Sequence, residues 1–345
     1  MDGFGHGTHM ATAINAYDPG AITPFGDPTP LRGMAPGARL VNVKAGAADG
    51  AVDVSQVIAA LDWIVQYGQS DGMNIRVVNL SFGTHTMQDY RLDPLAYAAE
   101  QAWHHGIVVV VADGNDGNGT IVRNPAIDPY VITVGSLDSD GSFETVDPVS
   151  TFTNCTADRP VDVLAPGRSI VGLVVPGSHA AASHPEALVN DGRFIKGSGT
   201  SQAAAVVSGA VALLLEQRPY LTPDEVKAIL MGTASPATGA PECVGAGTID
   251  LMAAMLAPTP ANATQNHEQS TGLGSLELAR GNMRVFDEGV ALEGEVDIMG
   301  NTYDAAARAQ AQLQGASWSN GEWNGASWSG ASWSGASWSS ASWSG

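Results

Sequence analysis

The chain has 345 residues, of which 44% are hydrophobic and 41 are glycine, enough for one large core with tight turns and further C-terminal material. Its formal charge is −20, with lysine only at Lys44, Lys196 and Lys227, so its surface repels nucleic acid and anionic membranes. No run of 18 apolar residues exists, which excludes a spanning helix, and no signal peptide is visible.

The first stretch, Asp2-Gly-Phe-Gly-His-Gly-Thr-His-Met-Ala-Thr12, reads as a glycine-flanked turn into an Ala-rich helix carrying His6 and His9. Residues 13–38 hold five prolines and four glycines and read as an irregular surface excursion. Gly33-Met-Ala-Pro-Gly-Ala-Arg-Leu-Val-Asn-Val43 is expected to turn into a strand. Asp53 is placed to cap a helix with Val54, Val57, Ile58, Leu61, Ile64 and Val65 at helical spacing. Val77 to Gly83 is an apolar strand ending in a turn, Pro94 to His105 another helix, and Ile107 to Ala112 an aliphatic strand buried on both faces. Val161 to Gly167 repeats the strand-then-turn pattern, and 176–193 reads as a mobile loop. Thr222-Pro-Asp-Glu225 is a capping box opening a helix through Met231. Strands alternating with helices predict an α/β, mostly parallel, doubly wound sheet.

After Met255 the composition changes. Residues 258–271 read as a polar linker, and 272–313 as a small element of β character, from the alternation in Val290 to Ile298. Tryptophans then recur at period five, at 318, 323, 328, 333, 338 and 343, mostly as Ala-Ser-Trp-Ser-Gly. Period five favours neither a helix nor a strand face, so residues 314–345 are expected to be disordered. A sticky or glycan-binding tail and a short β-coil are the alternatives.

The chemistry is concentrated in Gly197-Ser-Gly-Thr-Ser-Gln-Ala-Ala-Ala-Val-Val-Ser-Gly209. Glycines permit a tight backbone path, and Ser201 falls at the start of a small-residue apolar helix. Free N–H groups and the positive dipole end there favour an oxyanion. A serine nucleophile needs a base near neutrality, and histidine is the suitable side chain.

These blocks resemble those of the subtilisin-like serine proteases, the subtilases, over roughly residues 1–257. Gly5-His-Gly-Thr-His-Met-Ala11 is similar to the family's histidine block, Gly199 to Gly209 to its serine block, and Val108 to Asn115 to its oxyanion segment. The resemblance implies a three-layer subtilisin-like fold and endopeptidase chemistry on polypeptide substrates. Ser201 would be the nucleophile, His6 the base and Asn115 the oxyanion donor. Ser81, Phe82 and Gly83 would pair with substrate and, with Ala112, Asp113 and Gly114, wall its P1 pocket, with Ile127 near the floor. Asp113 is unusual beside that asparagine, Gln202 replaces a common methionine, and Asp128-Pro129 is a candidate cis peptide.

The family's third catalytic residue, an aspartate on a strand well upstream of the histidine, has no counterpart in the five residues before His6. Asp2 is not given that role, Met1 is read as the start of a truncated chain, and the sheet is expected to lack its Asp-bearing strand. Loss of tautomer control over the histidine costs about 10⁴ in turnover, so weak or no activity is expected. No cofactor is required. Structural calcium is common in the family, but no ligand loop is identifiable, and the Asn, Asp and Gly residues of 113–118 are explained as turn chemistry. The resemblance also implies an exported or cell-surface monomer. Cys155 and Cys243 either pair or stay free. A non-catalytic surface or glycan-binding protein working through the tryptophan repeats is the alternative function.

Overall fold

The aliphatic run ending at Ala112 is the centre of the fold in the computed structural model, which describes residues 2–17, 31–139, 141, 146–320 and 322–325. It forms β2 (Val108–Ala112) in a four-stranded parallel sheet with β1 (Val77–Leu80), β3 (Ile132–Leu137) and β4 (Val163–Pro166), in the order β1-β2-β3-β4. Every residue of β2 and β3 is buried, as expected of a parallel sheet covered on both faces. Helix α5 (Thr200–Gln217) packs along all four strands and against α1 (His6–Asn15). Helices α2 (Val54–Tyr67) and α3 (Pro94–His104) pack on each other, and α3 also meets β2. The family-type three-layer α/β arrangement is therefore present.

Local signals account for the helix boundaries. The Asp53 carboxylate accepts from the Ser55 N–H at 2.9 Å while the Gln56 side chain returns to the Asp53 N–H at 2.8 Å. Asp93 accepts from the N–H groups of Leu95 and Ala96, ahead of a proline at the first helical position of α3. Thr222 and Glu225 form the expected reciprocal cap of α6 (Pro223–Gly232).

Three expectations are corrected, and the open question of the cysteines is answered. Residues 39–43 join no ladder, because no described strand lies alongside them. The stretch 176–193 is ordered into α4 (His179–Ser183) and β6 (Leu188–Val189), the latter in an antiparallel sheet with β5 (Ile170–Leu173) and β7 (Phe194–Gly197). The cis peptide is Asn124-Pro125, not Asp128-Pro129. Cys155 and Cys243 form a disulfide, linking the β3–β4 side of the sheet to the short helix α7 (Pro241–Val244). Helix α8 (Leu251–Leu256) follows, packed on α5.

The C-terminal region also departs from expectation. Residues 258–271 do not hang free: the Ser270 N–H binds the buried Glu100 carboxylate at 2.8 Å, and the Tyr130 hydroxyl donates to the His267 carbonyl at 2.7 Å. Residues 272–313 are more helix than strand, with α9 (Leu276–Arg280) and α10 (Ala305–Leu313) around a two-residue hairpin of β8 (Phe286–Asp287) and β9 (Val290–Ala291). Gly289 and Gly294, both at positive φ, turn the chain where the alternating pattern suggested a continuous strand. The first two tryptophan repeats are folded, forming a hairpin of β10 (Trp318–Ser319) and β11 (Glu322–Trp323). Trp323 is fully buried in the main core, its indole N–H donating to Asp62 at 2.7 Å and its ring under the Arg308 guanidinium at 4.4 Å. Most of the Pro-rich excursion and the repeats from 326 onward lie outside the described residues.

Candidate active site

Helix α1 begins where Asp2 fastens it: its carboxylate accepts from the N–H groups of Gly5 at 2.8 Å and Thr8 at 2.7 Å. Burial alone would raise the Asp2 carboxyl, but those two N–H groups hold it below its ordinary value. Gly5 enters the helix at φ 99°, and a Cβ there would meet the Ser178 hydroxyl at 2.9 Å. The first turn of α4 supports this turn, the N–H groups of His179 and Ala180 donating to the carbonyls of Gly3 and Phe4. His6, the first helical residue, is only 5% exposed. Burial, then the neighbouring His9, drops its pKa to about 4 against a small opposing pull from Asp2, so its ring is neutral at pH 7. His9 is fully buried, with Nε2 3.1 Å from the Ile170 carbonyl, and burial lowers it to about 4 as well.

Ser201 is the second residue of α5 and 7% exposed. Two helical contacts fix how α1 and α5 lie together: Met10 and Ala13 cluster with Ala205, and a Cβ on Gly209 would approach the Ile14 carbonyl at 3.3 Å. Advancing four residues on α1 advances four on α5, so the helices run parallel. One turn earlier on each stand His6 and Ser201.

The third element is the turn after β2. Asn115 Oδ1 accepts from the Thr200 N–H at 2.7 Å, and the Thr200 hydroxyl sits 3.3 Å from the Gly114 N–H and 3.2 Å from its carbonyl. Gly114 has φ 122°, and a Cβ there would lie 2.4 Å from the Asn154 amide nitrogen. The turn is braced beneath by Asp116, whose carboxylate receives Arg123 at 2.6 and 2.9 Å and the Asn154 amide at 2.9 Å. From β1, the Ser81 hydroxyl donates to the Ser201 carbonyl at 3.0 Å.

The structure thus gathers Ser81, Asn115 and Ser201 at the carboxyl ends of β1 and β2, where open α/β sheets hold their crevices. Phe82 is buried in the main core and Ile127 packs half-buried against it. Gly83 passes so close to Arg123 that a Cβ would lie 2.9 Å from its Cβ. Ala112 and Gly114 are buried, and Asp113 has no exposed surface. Burial pushes that carboxyl far above its ordinary value, opposed mainly by the Thr200 hydroxyl. Thr200, Arg123 and Asn154 were not singled out by the sequence. Only the position of Thr200, between glycine and serine at the helix start, carried a signal for its role.

Comparison with known proteins gives a consistent result. The family model described as "Subtilase family" matches residues 1–274. The serine protease AprX of Bacillus subtilis is 34% identical over 260 residues, covering 72% of this chain and 57% of that protein. Subtilisin E of the same organism is 30% identical over 238 residues, covering 68% of this chain and 52% of that protein. The chain therefore spans little more than half the length of these two relatives. Among solved structures, fervidolysin from Fervidobacterium pennivorans, described as a keratinolytic enzyme, aligns with TM-score 0.60 and 29% identity over 75% of this chain and 37% of that one.

Proposed function

This chain belongs to the subtilase family, and from that premise we propose that it is a serine endopeptidase hydrolysing polypeptides through an acyl-enzyme. The parallel register of α1 and α5 carries the reading, since it sets a neutral buried imidazole and a helix-start serine one turn above the same contact. Ser201 Oγ attacks the substrate carbonyl carbon and His6 takes its proton. The carbonyl oxygen becomes an oxyanion held by the Ser201 N–H at the positive end of α5 and by the Asn115 amide. The Thr200 N–H grips Asn115 by its oxygen, which orients the amide nitrogen toward that position. His6 then returns the proton to the leaving amine, and water releases the acyl group by the same route in reverse.

Asp2, the carboxylate just ahead of His6, is engaged in capping α1. The reading needs no cofactor. Action outside the cell is supported by the disulfide, since such bonds persist in oxidising compartments, and by similarity to an extracellular serine proteinase from Thermus. Among the described residues no helix is long and apolar enough to cross a membrane. Trp318 and Trp323 pack in or against the main core, so a glycan-binding tail would rest on the repeats from 326 onward, which lie outside the described residues.

A fluorophosphonate probe tests the proposal. Labelling that disappears in Ser201→Ala is expected. Labelling that persists in that variant, or its absence from a chain shown by circular dichroism to be folded, rejects it.

A further inference from the structure

The segment after β1 runs from the nucleophile's turn directly to the C-terminal region. Ser81 donates its hydroxyl to the Ser201 carbonyl at 3.0 Å, and a few residues on, Thr84 is fully buried. Thr84 and Asn124 exchange both backbone hydrogen bonds at 2.9 Å, which ties the exit of β1 to the cis Asn124-Pro125 turn. The Thr84 hydroxyl then donates to the Ala279 carbonyl of α9 at 2.6 Å. That bond is one of a row. The Gln88 amide donates to the Ser275 carbonyl at 3.1 Å and accepts from the Ser275 N–H at 2.8 Å. The N–H groups of Thr271 and Gly274 donate to the carbonyls of Arg91 and Leu92 at 2.7 and 2.6 Å. Gly281, at φ 58°, passes the His85 carbonyl so closely that a Cβ would overlap it. Residues 85–93 belong to no helix or strand, so outside bonds such as these decide their path. α9 is itself held from behind, with Leu276 and Ala279 in the main core and Arg280 on buried Asp53 at 2.6 Å. It lies beyond residue 274, where the family match ends.

We propose that α9 is a positioning element of the peptidase site, acting through Thr84 on the segment Ser81–Gly83. The inference rests on the endopeptidase reading. A polypeptide whose carbonyl reaches Ser201 Oγ must pass the segment that Ser81 fastens to the Ser201 turn. An extended peptide binds such an edge through backbone hydrogen bonds, which weaken quickly when donor and acceptor are displaced. Thr84 is a positioning residue: it holds one end of the segment while Ser81 holds the other. Holding the edge in its bound shape lowers the cost of binding a peptide and leaves the reacting groups unaltered. Substrates long enough to lie along the segment gain from it, and small acyl compounds do not.

Two probes directed at Ser201 separate positioning from folding, a small alkyl fluorophosphonate and a tetra-alanyl diphenyl phosphonate, each applied to the full chain. Thr84→Val keeps the side-chain shape and removes the hydroxyl. It should lower the ratio of tetra-alanyl to small-probe labelling rates about fivefold, the worth of one edge hydrogen bond, through the peptide probe's KI. Thr84→Ser should restore the ratio. Gln88→Ala loosens the same loop from a half-buried position and should shift the ratio the same way, so it decides the matter if Thr84→Val does not fold. An unchanged ratio in the folded variant, or Thr84→Ser no better than Thr84→Val, overturns the inference. A parent chain that takes the small probe but not the tetra-alanyl one also overturns it. Absence of Ser201-dependent labelling by the small probe in the parent chain instead overturns the endopeptidase reading, and this inference falls with it.

Discussion

Replacing Trp323 with alanine tests whether the start of the repeat tail belongs to the fold. The indole is fully buried, beneath Arg308 and hydrogen-bonded to Asp62, which also receives the Gln312 amide. Removing a buried aromatic ring to alanine costs about 3–5 kcal/mol. Losing the N–H leaves a buried carboxylate short of one donor, worth about 1–3 kcal/mol. The terms overlap, so the expected loss for Trp323→Ala is about 4 kcal/mol, and for Trp323→Phe, which keeps the ring, about 1–2 kcal/mol. Urea unfolding at pH 7 followed by circular dichroism measures both. A loss under about 1 kcal/mol for the alanine variant would mean the indole is not seated in the core, and equal losses for both variants would assign the energy to the hydrogen bond alone.

Other outcomes follow from the same geometry. The general base must be neutral, and burial holds His6 near 4, so the Ser201 labelling rate should persist from pH 7 to about 5 and fall through about 4; an acid limb near 6.5 would refute the effect of burial. Asn115→Ala should slow labelling about 10²–10³-fold, the size known for one lost oxyanion donor in a subtilisin, with unchanged urea stability separating this from misfolding. Arg280→Met strands Asp53, to which Arg280 bonds at 2.6 Å in full burial, and should cost about 3–5 kcal/mol in the same unfolding assay. Thr222→Ala, at the exposed cap of α6, should cost only about 1 kcal/mol.

What could be read from the sequence was local. The caps at Asp53 and Thr222, the buried run of β2 and the serine turn each depend on side chains within a few residues, and each stands as expected. What could not be read depended on partners far along the chain. Leu40–Val43 has a strand's composition, but a strand exists only where a neighbour pairs with it. The seat of Trp323 is made by Asp62, 261 positions away, and a period-five repeat gives no face from which to infer it. The serine turn announced Ser201, yet the brace under Asn115 is a bidentate pair between Arg123 and Asp116, neither of which carries a motif.

The Cys155–Cys243 bond closes a covalent ring over a sequence separation of 88. Inside that ring are β4, the β5–β7 sheet and the first turn of α5 with Ser201, whereas His6 and Asn115 lie outside it. A proteolytic cut between 156 and 200, including the turns beside α4, would therefore open the ring without releasing either piece. The nicked protein would travel as one molecule until reduced, and only then would the serine-bearing portion be free to leave the histidine.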